Sequence, residues 1–392
     1  MSKRKVFIAV HQLNLGGVQK ALISALDVID YSKNEVTLYV RKNRLDLLDS
    51  VNKNVANIIV NQDDTKYYLK PYSLWLQLLM KILGALGKDI SKIKQKYINY
   101  LLNKQMAYEV TNICPQFEDY DLAVSYIQNT TAEFVSKYVS AKRKVMFYHG
   151  STDEAHELHE AIMGDFDRIY CVSEGALSSI KKLYPRFASK MSCLENYVNY
   201  KEIRQKANEF APDYPKDRLV LCSCGRIAPV KGYDLAVEAA DKLKKSGVKF
   251  VWCFVGDGTE RQKIENMIAE KHLDDNIVIT GLKNNPYPYI KNCDIFVQPS
   301  YEESQGLSMI EARILNSVVI TTATAGGKAV VKDKTDGLIA EISSDSLYEK
   351  IIKLIKDKDL HEQIKKNLSE IDYSKDYLKF RNHWEKLLED NL

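Results

Sequence analysis

The feature that most limits the fold is an alternation of short apolar runs with segments of helical period, and the chain runs through it twice. Lys5-Val-Phe-Ile-Ala-Val10 reads as a first buried strand, followed by Gly16-Gly17 and a helix from Val18 to Ile29. Glu35 to Val40, Asp121 to Ser125, Lys144 to Tyr148 and Arg168 to Val172 continue the pattern. Runs apolar on both faces belong to parallel sheets covered by helices. The stretch from Ala207 to Lys216 is then polar, carries two prolines and reads as a linker. Arg218 to Cys224 opens a second series, continued by Phe250 to Val255, Asn276 to Ile279 and Asp294 to Val297. The 392 residues therefore predict an α/β chain of two doubly wound, Rossmann-like domains facing a central cleft. The domains are expected at 1–206 and 218–376, with the linker at 207–217. Residues 377–392 form an amphipathic helix carrying Trp384, expected to pack back on the N-terminal domain. In such sheets ligands bind beyond the carboxyl ends of the strands.

Composition excludes some classes. Lys and Arg number 56 against 52 Asp and Glu, a formal charge of only +4, so the whole chain is not a nucleic-acid binder by electrostatics. The seven cysteines sit mostly inside apolar runs, which reads as buried reduced thiols. Cys222 and Cys224 are too close in sequence for the usual zinc pair, and no second pair follows. The N-terminus shows no signal-peptide pattern, and the apolar stretch from Leu74 to Leu86 is too short to span a bilayer. A cytoplasmic protein is expected, soluble or peripheral on the inner face of the cell membrane.

The chemistry-bearing residues fall at strand ends. Glu303-Ser-Gln-Gly-Leu-Ser-Met-Ile-Glu311 follows the run ending at Val297. Pro299-Ser300 breaks that strand, and Gly306 with Leu307, Ile310 and Ile314 marks a helix start. Two turns at ~3.6 residues each bring Glu303 and Glu311 towards one crevice, beside the free N–H groups of Gln305, Gly306 and Leu307. Two acceptors and a row of donors suit a polyhydroxylated ligand. Gly225-Arg226 and Lys231-Gly232 share one strand-to-helix loop, where two cations can grip phosphate oxygens; two solvated surface cations would give the same pattern. Gly256-Asp-Gly-Thr-Glu-Arg261 is a second loop of this kind, although an ordinary capped turn explains Asp257 itself. Gly16-Gly17 ends the first strand without matching a dinucleotide or P-loop fingerprint. His149 closes its strand before Gly150, where it reaches a cleft or sits satisfied in a loop. His156 and His159 fall one residue short of zinc-protease spacing and read as a polar helix face. Asp165 and Asp167 are an acidic pair of the metal-diphosphate kind, or surface Asp at a helix-to-strand entry.

At these residues the chain resembles the family 4 retaining glycosyltransferases of the GT-B fold, over almost its full length. Gly225-Arg226 with Lys231-Gly232, Gly256 to Arg261 and Glu303-x7-Glu311 carry the likeness. Val172-Ser173-Glu174, Asn196 to Asn199, Gly326-Gly327 and Asp336-Gly337 match in place and kind. The resemblance implies an N-terminal acceptor domain and a C-terminal nucleotide-sugar domain. It implies that Arg226 and Lys231 bind the donor diphosphate and stabilise the leaving group. Glu311 would hold the ribose, and Glu303 the donor-sugar hydroxyls with the N–H groups of Gln305, Gly306 and Leu307. His149 would approach the sugar, and Gly16-Gly17 would line the diphosphate and acceptor side. With two cations on the leaving group, no metal cofactor is expected. The family usually has an aromatic or small residue where Gln305 stands, which leaves the donor sugar open; a uracil base is the commonest case.

The expected reaction is hexosyl transfer from a nucleotide-sugar, UDP-linked by preference, to a saccharide acceptor. Residues 66–104 interleave eight lysines with six aromatics around an apolar helical repeat. That is the pattern of a helix on an anionic membrane, or of two packed helices with a basic face. The membrane reading makes the acceptor lipid-linked, in capsule, exopolysaccharide or teichoic-acid synthesis. Two alternatives keep the architecture: a non-catalytic partner subunit, and a sugar-nucleotide epimerase.

Overall fold

A computed structural model describes residues 2–61, 119–150 and 160–389. The basic stretch 66–104, His156, His159 and Cys114 lie outside the described residues. The chain divides into two compact units. The first comprises the described residues up to Cys171, together with Ser179–Cys193 and the chain from Trp384. The second comprises Val172–Ser178 and Leu194–His383.

The first unit is built on a parallel sheet of seven strands in the order β3-β2-β1-β4-β5-β6-β7. Its strands are β1 (Arg4–Val10), β2 (Asn34–Val40), β3 (Asn57–Val60), β4 (Tyr120–Ser125), β5 (Ala141–Tyr148), β6 (Arg168–Cys171) and β7 (Met191–Cys193). β1 pairs with β2 through Val6↔Val36 and Ile8↔Leu38, and with β4 through Ile8↔Val124. Strand order reverses between β1 and β4, so the loops after these strands diverge and leave a crevice at the carboxyl edge. Phe7, Ile8, Val36, Leu38 and Val124 are fully buried, as strands covered on both faces require.

The second unit repeats the plan with six parallel strands in the order β10-β9-β8-β11-β12-β13. These are β8 (Leu219–Cys224), β9 (Phe250–Val255), β10 (Ile277–Gly281), β11 (Ile295–Gln298), β12 (Val318–Thr322) and β13 (Leu338–Ala340). The unbroken apolar runs feed two cores, one on each face. Phe250, Trp252 and Phe254 of β9 join Leu221 and Val297 in one, while Val251, Cys253 and Val255 join Val220, Cys222 and Phe296 in the other. This period of two is the pleat itself. It also accounts for four of the cysteines: Cys171, Cys222, Cys253 and Cys293 are buried, while Cys193 and Cys224 are partly exposed. Burial pushes the Cys253 thiol up to about 11 and holds the Cys222 thiol well above its ordinary range, which keeps both protonated.

The helix Tyr200–Lys206 belongs to the second unit, although the sequence places the linker after it. Val198, Ile203 and Ala207 pack into the core that holds Val220 and Phe296. The final helix runs Ser374–Glu389, starting earlier than the expected 377. Phe380 packs against Tyr197 at 5.5 Å within the second unit. Within the first unit Trp384 is fully buried and stacks on Phe147, centroids 5.6 Å apart and rings 9° from parallel.

Candidate active site

In the second unit the switch in strand order falls between β8 and β11, and both loops leaving that point carry the predicted polar residues. β8 leads into Gly225 and Arg226. The chain then passes a single turn at Pro229–Lys231 and enters the helix Tyr233–Lys245 through Gly232, which is left-handed at φ 63°. A Cβ at Gly232 would lie 2.1 Å from the Pro299 carbonyl oxygen, so only glycine lets the loops after β8 and β11 touch. They are joined there by hydrogen bonds from Tyr301 N–H and Glu302 N–H to Val230 O, at 2.9 and 3.3 Å.

That seam brings Lys231 to Glu303. Lys231 Nζ donates to Glu303 Oε2 at 2.7 Å, with side-chain exposures of 22 % and 9 %. The same oxygen accepts from Ser300 Oγ at 3.3 Å and Gln298 Nε2 at 3.4 Å. Glu303 is thus an oriented carboxylate in a partly dry place, where its charge acts strongly. Arg226 is exposed on the same loop and makes no ion pair or side-chain hydrogen bond among the described residues.

Behind Glu303, Gly306 caps the helix Leu307–Ile314 in a left-handed conformation, φ 68°, with no acid in the first turn. A Cβ on Gly306 would meet Met309 Cε at 2.1 Å and Glu303 Cγ at 3.2 Å. The first helical N–H groups lie next to Glu303 and form a donor row with partial positive charge. Glu311, one turn further, is only 3 % exposed, and Tyr287 Oη donates to its Oε1 at 3.2 Å.

The Gln305 side chain is committed elsewhere. Asn196 Nδ2 donates to Gln305 Oε1 at 2.6 Å, and Gln305 Nε2 donates back to Asn196 O at 3.0 Å. Both ends of the amide are spent on a clamp between the loop of Glu303 and the segment after β7. The side chain is thereby turned towards Asn196, with one hydrogen bond made at each end of the amide.

The loop after β9 supports the first. A Cβ at Gly256 would come within 1.9 Å of Gly225 O, and one at Gly258 within 2.2 Å of Ile227 O. Asp257 is paired to Arg261 at 2.8 Å, as an ordinary helix-start ion pair. On the far side of the helix carrying Glu311, Arg313 bonds Asp336 and the Val330 carbonyl, fixing that helix to the turn at Gly337.

The remaining predicted residues belong to the first unit. Gly16 caps the helix Gly17–Leu26 after β1, again without a side-chain cap or an acid in the first turn. His149 follows β5. Its backbone N–H donates to Gln128 Oε1 at 2.9 Å, and its ring packs 5.2 Å from Tyr126. Burial holds the imidazole down at about 3, despite a hydrogen bond to the Tyr126 backbone, so it is neutral at working pH. Its Nε2 is buried with no hydrogen-bond partner among the described residues. Asp165 accepts from Ser136 Oγ at 2.5 Å and Asp167 from Lys144 N–H at 2.8 Å, so both serve the fold where they stand.

Sequence reasoning missed Tyr287, Gln298 and Ser300, and did not give Asn196 its role. Gln298 and Ser300 lie within the strand-end segment that precedes Glu303, and proximity in sequence could have flagged them. Tyr287 sits on the short helix Tyr287–Lys291 ahead of β11 and has no local signal.

Residues 204–370 match the model of the glycosyl transferases group 1 family. An uncharacterized glycosyltransferase of Methanocaldococcus jannaschii is 25 % identical over 355 residues, 86 % of this chain and 92 % of that one. An N-acetylgalactosaminyltransferase of Campylobacter jejuni, named for a diphospho-undecaprenol-linked saccharide, is 27 % identical over 51 % of this chain and 53 % of its own. The chain thus spans nearly all of the first relative and about half of the second. The Anabaena protein HepE, solved with UDP and glucose, has TM-score 0.70 and 16 % identity, covering 99 % of this chain and 100 % of its own. That last likeness establishes the fold: two Rossmann-like α/β units of GT-B type. The matched domain, which holds the Lys231–Glu303 seam and Glu311, makes the chain a glycosyltransferase enzyme.

Proposed function

We propose that the protein is a retaining hexosyltransferase that uses a nucleotide-diphosphate sugar, UDP-linked by preference. The acceptor is a saccharide of a bacterial cell-surface polysaccharide pathway, carried on a lipid. The observation that carries this reading is the Lys231–Glu303 pair beside an uncapped helix N-terminus at the β8/β11 switch point.

In this reading the diphosphate lies against Arg226 and Lys231. Breaking the glycosyl–phosphate bond leaves growing negative charge on the phosphate and positive charge on the sugar ring. The two cations stabilise the first, and Glu303 lies close to the second. Before the donor arrives Lys231 and Glu303 neutralise each other. A diphosphate competes for Lys231, and Glu303 turns its acceptor capacity to sugar hydroxyls. Glu311, held by Tyr287, accepts from the ribose. The leaving phosphate takes the acceptor's proton on the same face, so configuration is retained without a protein nucleophile. Neutral His149 and Gly16-Gly17 complete the sugar and acceptor sides. The cations take the part that a metal plays elsewhere, so activity should persist in EDTA.

The lipid carrier is supported by the Campylobacter relative's printed acceptor and by the basic aromatic pattern of 66–104, which would seat the enzyme on the inner face of an anionic membrane. The test is a panel of nucleotide-sugars without acceptor. Slow release of nucleoside diphosphate from one donor, lost in Arg226→Ala and Glu311→Ala, is the expected result. Complete inactivity of folded protein on every donor would instead favour the partner-subunit role.

A further inference from the structure

We propose that the loops after β1 and β2 form an anion site for a phosphate group of the acceptor, held by Lys42 and Arg44 and backed by His11. The two loops are zipped together by backbone hydrogen bonds. Arg41 N–H donates to Val10 O at 3.0 Å, Lys42 N–H to His11 O at 2.9 Å, Leu13 N–H to Arg44 O at 2.8 Å and Leu47 N–H to Leu13 O at 2.9 Å. Three cations within four residues are therefore fixed beside His11 rather than carried on a free loop.

Lys42 and Arg44 are exposed and make no ion pair or side-chain hydrogen bond among the described residues. Asp46, the acid of the same loop, is turned to the Leu15 N–H at 3.4 Å. Arg41 is 5 % exposed and lies over the Phe134 ring, 5.2 Å from its centre, so its charge reinforces the field from inside. His11 Nδ1 is buried with no hydrogen-bond partner among the described residues. Burial first, then Lys42, Arg41 and Arg44, hold the His11 imidazole down at about 4. An arriving anion would offset the three cations and let His11 gain a proton.

The place fits an acceptor rather than the donor. The cluster follows β2, on the β2 side of β1, whereas the donor reading puts the nucleotide on the loops of the second unit. A guanidinium fork and an ammonium point charge together suit the oxygens of a phosphate. The phosphate could come from a lipid diphosphate linkage or from a phosphodiester in the polymer. This inference rests on the transferase reading above.

The test is NMR titration of the ¹⁵N-labelled histidines in the full chain carrying Arg226→Ala, which weakens the donor phosphate contacts. The probes are inorganic pyrophosphate and dimethyl phosphate, and His11→Gln assigns the resonance. The expected result is a rise in the His11 pKa of about 1 unit or more with at least one probe. The rise should vanish in Lys42→Glu/Arg44→Glu with an unchanged circular dichroism spectrum. Preference for pyrophosphate identifies the lipid linkage, and preference for the diester identifies the polymer. No shift with either probe, or an equal shift in the double variant, overturns the site. Donor-only nucleotide release, measured on Lys42→Glu/Arg44→Glu, should match the parent. Its absence in the parent would sink the transferase reading while leaving the phosphate result standing.

Discussion

Single side chains divide into those that meet ligand and those that hold others in place. Arg226 makes no ion pair among the described residues, so Arg226→Ala should leave the melting temperature nearly unchanged while lowering donor turnover by about 10²-fold or more, as loss of a charge-stabilising group does. Asn196→Ala removes the donor to Gln305 Oε1, leaves the bond from Gln305 Nε2 to the backbone carbonyl, and loosens the Glu303 loop. Its kcat should fall by about tenfold, with the ranking of donor sugars unchanged; a switch in donor preference would show that Gln305 reads the sugar after all. His149 gives a pH signature. Its native pKa, near 3, lies below the unfolded value of about 6.5, so the unfolded chain binds the extra proton. Stability from this group is full above pH 6.5 and is lost as pH falls towards 3. Urea midpoints at pH 7 and pH 5 should therefore show His149→Gln losing about 2 kcal/mol less than the parent between them.

Elements meet at glycines whose absent Cβ is filled by a neighbour's backbone. Gly232 and Gly306 also have positive φ, at 63° and 68°. Gly306→Ala combines that strain with a 2.1 Å approach to the movable Met309 methyl, and should cost about 1–3 kcal/mol in chemical denaturation. Gly232→Ala faces a carbonyl that has no room to move and should cost more. It should also part Lys231 from Glu303, so its donor affinity should fall further than that of Gly306→Ala. The helices and strands around these turns were legible in sequence, because unbroken apolar runs with glycine after them leave few readings. The helix start at Leu307 and the loop positions of Lys231 and Glu303 came from that punctuation alone.

For the molecule as a whole, the final helix is the informative element. Trp384 fills the first unit's core against Phe147 and Tyr126, so Trp384→Ala should destabilise the protein by about 3–5 kcal/mol, read as an earlier thermal transition. The sequence by itself determined two doubly wound sheets, the loop positions of Arg226, Lys231 and Glu303, the helix that carries Glu311, and the buried state of Cys171, Cys222, Cys253 and Cys293. It could do so because periodicity and turn chemistry are local properties of the chain. Only the tertiary structure decided that Lys231 and Glu303 form an ion pair, that Asn196 takes the Gln305 amide, that Tyr287 holds Glu311, and that Tyr200–Lys206 packs with the second unit. These contacts join residues from 24 to 109 positions apart. No pattern of neighbours along the chain encodes them, since each depends on which strand lies beside which in the folded sheet.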